Sequence, residues 1–211
     1  MNVIESAPKQ STATKVFSTI KSLIPTLGGW TSVPKAHTYA ALVLGYRPEV
    51  CVEIGVWEGR GSLAIALALQ EVGRGMLYSI DAWDPKASIE GQTHPGDIEH
   101  WGKSDHEGPY QSFLTNISKH NLGNFVTVMR LKSEHAGVPA NIGFLVIDGN
   151  HGDTSIIDVK RFAPAVKKGG FVYMDDLDWS TGSVRRAESK LKEMGFVEQY
   201  RIENGAMYQR L

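Results

Sequence analysis

Residues 50–69 read VCVEIGVWEGRGSLAIALAL. The opening five, Val50 to Ile54, are a short β-branched run that reads as a buried strand. Gly55 and Gly59 then permit a tight strand-to-helix turn and close backbone approach to a ligand. The segment Leu63–Leu69 is almost wholly apolar, which suits a helix covered on most sides. By itself the glycine cluster is read equally well as a simple tight turn.

Downstream the same rhythm repeats. Further strands are predicted at Met76–Ile80, Phe125–Met129, Ile142–Ile147 and Phe171–Met174. Helices are predicted at Thr154–Lys168 and Ser183–Met194, each followed by a terminating glycine, Gly169 and Gly195. Short apolar strands alternating with helices signal parallel βαβ units, so the fold class is α/β with a Rossmann-like, doubly wound, mostly parallel sheet. Phe196–Ile202 and Ala206–Arg210 flank Asn204-Gly205, a strong hairpin signal, and the sheet is expected to finish antiparallel. Upstream, Val16, Ile20 and Leu23 mark a short amphipathic helix ended by Pro25, with a second helix near 34–45. Residues 1–12 are polar and expected to fray. Residues 82–112 form a long polar interruption without periodicity, a lid or a disordered loop.

Composition narrows the function. In 211 residues, 42% are hydrophobic and 21% charged, enough for one domain with a real core. The 22 basic and 23 acidic residues leave a net charge of -1, which argues against nucleic acid as the main partner. The one cysteine, Cys51, excludes an internal disulfide framework and a cysteine-based zinc site. No apolar run is long enough to span a bilayer and no signal-peptide pattern opens the chain, so a cytoplasmic protein is expected. The N-terminal helix could serve a homodimer.

In an open parallel sheet, ligands bind beyond the carboxyl ends of the strands. Asp81 stands after the second strand, 26 positions past Gly55. A carboxylate at about that distance from the glycine turn can accept hydrogen bonds from ribose hydroxyls. A nicotinamide dehydrogenase is disfavoured by the missing GxGxxG and by the terminal hairpin. GNH at 149–151 echoes a fragment of metallophosphoesterases, whose other motifs the chain lacks.

The runs VEIGVWEGRGSLAIALAL, LYSIDAWD and FLVIDGNHGD, followed by DVKRFAPAVKKGGFVYMDD, resemble the class I S-adenosylmethionine-dependent methyltransferases over roughly residues 28–210. Within that class the chain is most similar to small metal-dependent O-methyltransferases of macrolide-type sugars and to the cephalosporin-hydroxylase-like branch. The resemblance implies that Glu53, Gly55 and Gly59 wrap the methionine part of the cofactor. It implies that Asp81 holds the ribose and that Ser133 and Glu134 lie beside the adenine. Arg60-Gly61 departs from the Gly or Ser-Thr that relatives often carry.

Asp148 follows the fourth strand and Asp175-Asp176 follow the fifth. Three carboxylates gathered on one edge of the cleft repel unless protonated or bridged by a cation. A hard ion such as Mg²⁺ suits such oxygen ligands, and related enzymes use this triad for it. Alternatively, one Asp caps a helix and another is solvated. His151 stands three positions past Asp148, where the related enzymes carry the general base for a substrate hydroxyl; capping or plain exposure is the competing reading. His94, His100 and His106 read as lid residues, and Trp57, Trp83, Trp101 and Trp179 as pocket walls or packing. The expected activity is O-methyl transfer to a small sugar-like or polyphenol-like molecule, with S-adenosylmethionine and Mg²⁺ as cofactors. A metal-independent or non-catalytic cofactor-binding relative is the alternative.

Overall fold

In the computed structural model, residues 12–211 are described; of the residues 1–12 expected to fray, Thr12 opens the first helix and 1–11 lie outside that range. Within it run α1 (Thr12–Leu23), α2 (Val33–Tyr46), β1 (Val50–Ile54), α3 (Arg60–Val72), β2 (Met76–Asp81), α4 (Pro85–Ile89), α5 (Pro95–Lys103) and α6 (Glu107–Lys119). The chain continues through β3 (Val126–Arg130), β4 (Ile142–Ile147), α7 (Thr154–Phe162), β5 (Val166–Met174), α8 (Ser183–Glu193), β6 (Phe196–Ile202) and β7 (Gly205–Arg210). The strands form one sheet in the order β3-β2-β1-β4-β5-β7-β6. The first five are mutually parallel and β7 runs antiparallel between β5 and β6. The reversal of strand order beside β1 opens the cleft expected of this class.

All six residues of β4 are buried, and their side chains alternate between the two faces of the sheet with the two-residue period of a strand. Phe144 and Val146 of β4 pack with α1, α2 and α3 on one face, while Leu145 and Ile147 pack with α7 and α8 on the other. The central helix α3 is buried from Gly61 to Leu69, as its apolar run requires. No described helix is long and apolar enough to cross a membrane.

Three local expectations change. The helix predicted to reach Lys168 ends at Phe162, and a 3₁₀ turn at Ala163–Ala165 leads into β5. Pro164 cannot donate to a continuing helical ladder. Gly169 consequently caps no helix; it carries φ +75° inside β5, where the pairing with β4 slips register. The hairpin forms one residue earlier than its Asn-Gly signal suggests: Glu203 holds the positive φ and Ile202 pairs with Gly205. Gly205 is needed for close packing instead, since a Cβ there would lie 2.0 Å from the Tyr173 hydroxyl. The polar stretch 82–112 folds into α4, α5 and the start of α6. Helices of 5 and 9 residues are too short to show a period, though Pro85 and Pro95 mark their first turns.

Candidate active site

The β1–α3 turn is shaped by backbone contacts. Gly55 has φ +87°, and a Cβ there would fall 2.0 Å from the Asp148 carbonyl oxygen. Gly59, also at φ +87°, lies against the Phe113 ring. Asp81 pins the loop: Oδ2 accepts from the backbone N–H of Val56 (2.9 Å) and Trp57 (3.0 Å), and Oδ1 from that of Trp83 (2.8 Å). A carboxylate offers about four lone-pair sites, so capacity remains on the cavity side. Glu53 lies beneath the first turn of α3, accepting a hydrogen bond from Ser62, whose hydroxyl is also 2.7 Å from that of Ser79. Burial pushes the Glu53 carboxyl up to about 8. Glu53 and Gly59 therefore shape the turn from behind and do not line the cavity, whereas Gly55 and Asp81 do.

Past β3, a 3₁₀ turn at Ser133–His135 sets Ser133, buried, and Glu134, on the rim, at the far end of the same cavity. Opposite stands Asp158 of α7, which the sequence reading missed. Burial raises its carboxyl to about 6, and its Oδ1 has no hydrogen-bond partner among the described residues. Its signal was an acidic residue on the buried stripe formed by Ser155, Val159 and Phe162.

At the other end, the expected carboxylate triad divides. The Asp175 N–H still bonds Ile147 O at 3.1 Å, continuing the ladder past β5, while Asp176 turns away at φ +51°. Asp175 faces Lys35 of α2, whose ammonium nitrogen lies 2.7 and 2.8 Å from its two oxygens. Both side chains are 4% exposed. Asp176 instead joins Asp148 and His151, with one potential ligand atom from each lying within 4.8 Å of the others. His151 Nε2 is 2.6 Å from Asp176 Oδ2, and the imidazole stacks on Trp179 with ring centroids 3.9 Å apart. Asn204 donates to Asp176 Oδ1 at 2.6 Å. Burial and the neighbouring Asp175 and Asp176 push Asp148 well above the usual carboxylate range. Burial would raise Asp176 too, but His151, Lys35 and Asn204 hold it below. Two carboxyls set apart in this way suit different roles in proton handling.

The expected Mg²⁺ set is kept in part: Asp148 and Asp176 stand together beside His151 in a group that could hold an ion, whereas both oxygens of Asp175 are engaged by the Lys35 ammonium. Mg²⁺ favours oxygen donors, and the group that remains includes an imidazole.

The lid closes over the cavity through Asn150. Its Nδ2 donates to the carbonyls of Ala87 (3.2 Å), Ser88 (3.1 Å) and Glu90 (2.9 Å), and its Oδ1 accepts from Gln92 (3.1 Å). Trp57 and Trp101 wall the opening and pack against Trp30, with Trp179 at the His151 end; Trp83 is buried in the core. His106 Nε2 donates to the Trp101 carbonyl, and His94 stands at the N-cap position of α5, so both belong to the lid. The cavity volume is about 780 Å³, room for a nucleoside-sized cofactor and a small second molecule.

Solved structures with this architecture include the O-methyltransferase NovP, at 15% identity and TM-score 0.70 over 95% of this chain and 99% of that one. An S-adenosylhomocysteine-bound methyltransferase from Podospora anserina, PaMTH1, aligns at 11% identity and TM-score 0.62, covering 98% and 91%. The O-methyltransferase TomG from Streptomyces achromogenes, in complex with S-adenosylmethionine, aligns at 13% identity and TM-score 0.59, covering 96% and 90%. At such identities the likeness is one of fold. No curated protein matches the chain. A family model described as a methyltransferase domain matches residues 52–177, from the middle of β1 to just past the Asp175-Asp176 pair. That span covers more than half of the chain and the carboxyl ends of β1 to β5, and the protein belongs to the methyltransferase-domain family.

Proposed function

We propose that the chain is an S-adenosylmethionine-dependent O-methyltransferase whose acceptor is a hydroxyl of a small molecule. One observation carries the reading: a closely paired imidazole and carboxylate, His151 and Asp176, line the same cavity as the Gly55–Asp81 turn. Names of structural neighbours, NovP and TomG among them, agree with it. The cofactor, when bound, supplies an electrophilic methyl on a sulfonium. The residues present suit it: Asp81 keeps free lone pairs for ribose hydroxyls, and the buried Asp158 Oδ1 lacks a donor that an adenine amine would provide. Gly55 leaves the turn open to the methionine portion. Ser133 and Glu134 border the adenine end.

His151 in its neutral form takes the proton from the acceptor hydroxyl, and Asp176 steadies the resulting imidazolium and fixes the ring. Trp179 holds the ring plane. The lid, latched by Asn150, excludes water and aligns the two molecules, a proximity effect that is the main source of rate in a displacement with little other chemistry for the protein to perform. A sugar ring or a polyphenol would find aromatic walls in Trp57, Trp101 and Trp179. Mg²⁺ has no step in this scheme: Asp175 is engaged by Lys35, and Asp176 by Asn204 and His151.

Calorimetry with S-adenosylhomocysteine and with NAD, followed by mass spectrometry of a panel of catechols and sugars, tests the reading. Cofactor binding and a mass gain of one methyl group are expected. Binding of NAD alone would overturn it.

A further inference from the structure

Lys35 is a charged residue on the buried face of α2, shared with Ala36, Tyr39, Ala40 and Val43. A lysine is almost never fully buried unless paired. Its backbone is fixed by the helix cap: Ser32 Oγ accepts from the Lys35 N–H at 3.2 Å and donates to Glu203 Oε1 at 2.7 Å. The start of α2 is thereby tied to the β6–β7 turn. From that anchor the ammonium reaches the cavity wall and finds three short acceptors: the two oxygens of Asp175, and Asn204 Oδ1 at 2.6 Å. An ammonium group has three donors, so all three are used.

The bonds continue beyond it. Asn204 accepts from Lys35 through Oδ1 and donates through Nδ2 to Asp176 Oδ1, which leaves Asp176 Oδ2 for the imidazole of His151. Lys35 thus lies at one end of a chain of contacts that ends on the proposed base.

We propose that Lys35 is the resident cation of the acceptor site: it neutralises Asp175 where a divalent ion would otherwise do so, and through Asn204 it orients the Asp176–His151 pair, so that methyl transfer by this chain requires no metal. The proposal rests on the O-methyltransferase reading. A divalent ion bridging Asp148, Asp175 and Asp176 would have to displace three hydrogen bonds from Asp175 and Asn204 and would stand beside a buried positive charge. The ammonium already answers the repulsion that led the sequence reading to a metal. Lys35 is a positioning residue here, acting on the hydroxyl through the groups it holds.

The test uses the full-length protein and Mn²⁺, read by electron paramagnetic resonance, as the probe ion. Wild type is expected to bind no Mn²⁺ at micromolar concentration and to turn over within about twofold in chelator or in excess Mg²⁺, a difference of under about 0.4 kcal/mol. Lys35→Met removes the charge at similar length. It is expected to bind Mn²⁺ at least about tenfold more tightly than wild type, as follows from losing one like charge in a site of low dielectric. Lys35→Arg keeps the charge and should behave as wild type toward Mn²⁺. Stoichiometric micromolar Mn²⁺ on wild type, lost in Asp175→Asn, would overturn the proposal whether or not Lys35→Met folds; so would abolition of turnover by chelator. The Mn²⁺ signal does not depend on turnover. Failure of the methyl-transfer reading would instead show as absence of methylated product and of cofactor binding.

Discussion

The two ends of the cavity are built by different means. At the cofactor end, the shape is held by main chain: Gly55 against the Asp148 carbonyl, and Asp81 on the N–H groups of Val56, Trp57 and Trp83. At the acceptor end, side chains brought from distant positions hold one another, as Lys35 holds Asp175 across 140 positions and Asn204 across 169. The first end is a property of a turn and is readable wherever that turn occurs. The second is a property of how the N-terminal helix and the C-terminal hairpin meet over the sheet, so it is where one chain of this fold can differ from another in chemistry.

The widest separation between the ends should come from His151→Ala. Turnover should fall roughly 10²–10⁴-fold, the usual worth of a positioned proton acceptor. Affinity for S-adenosylhomocysteine, measured by calorimetry, should stay as in wild type, because His151 belongs to the acceptor end. Retention of most of the rate would make His151 a bystander and break the division proposed here.

Asp81→Ala is the converse experiment. It removes the acceptor for three backbone N–H groups and for the ribose, and should weaken S-adenosylhomocysteine binding by roughly 1–3 kcal/mol. An unchanged dissociation constant would mean that the turn holds its shape without the carboxylate and that the ribose lies elsewhere. Asn150→Ala probes the connection between the ends. With its side chain go the bonds to Ala87, Ser88 and Glu90, at about 1 kcal/mol for the set after solvent compensation. Amide exchange across residues 84–103 should quicken, with the sheet unaffected; uniform exchange in both proteins would show that the lid is held by other contacts.

The remaining effect is on stability and concerns Glu53. Its carboxyl keeps its proton up to about 8 in the folded chain, against an ordinary value of 4.5. Between those values the folded state binds more protons than the unfolded state. Stability is therefore fully favoured below about 4.5 and declines as pH rises through about 8, at no more than about 1.4 kcal/mol per pH unit. Glu53→Gln keeps a partner for Ser62 and has no proton to lose. Its melting temperature should fall less steeply than that of wild type between pH 5 and 8, and parallel slopes would show that Glu53 is ionised in place.

Much of the architecture was legible in residue pattern alone. The strand–glycine–helix unit at 50–69, the alternation after it and the terminal hairpin follow from apolar period, glycine position and turn chemistry, all of which act over a few residues. The same local logic located Gly55, Asp81, Asp148 and His151 at strand ends lining one cavity, and the family resemblance added Ser133. It could mislead only where a local signal was weak: helices of one or two turns in 82–112, a helix cut short by Pro164, and a glycine at 205 required by Tyr173 and not by the turn.

Other features were decided by tertiary structure. Charge repulsion among Asp148, Asp175 and Asp176 could be foreseen from the sequence, but not what relieves it. An ammonium and a divalent ion both answer the same electrostatic need, and the choice depends on which side chain the packing of α2 delivers to Asp175. Lys35 and Asp158 each lie on the buried stripe of a helix, a visible anomaly, yet their partners are fixed only when the helices dock on opposite faces of the sheet. Local periodicity is written into neighbouring residues because backbone geometry repeats every few positions; pairing between buried charges is settled by the sheet, which brings together residues that no sequence window contains.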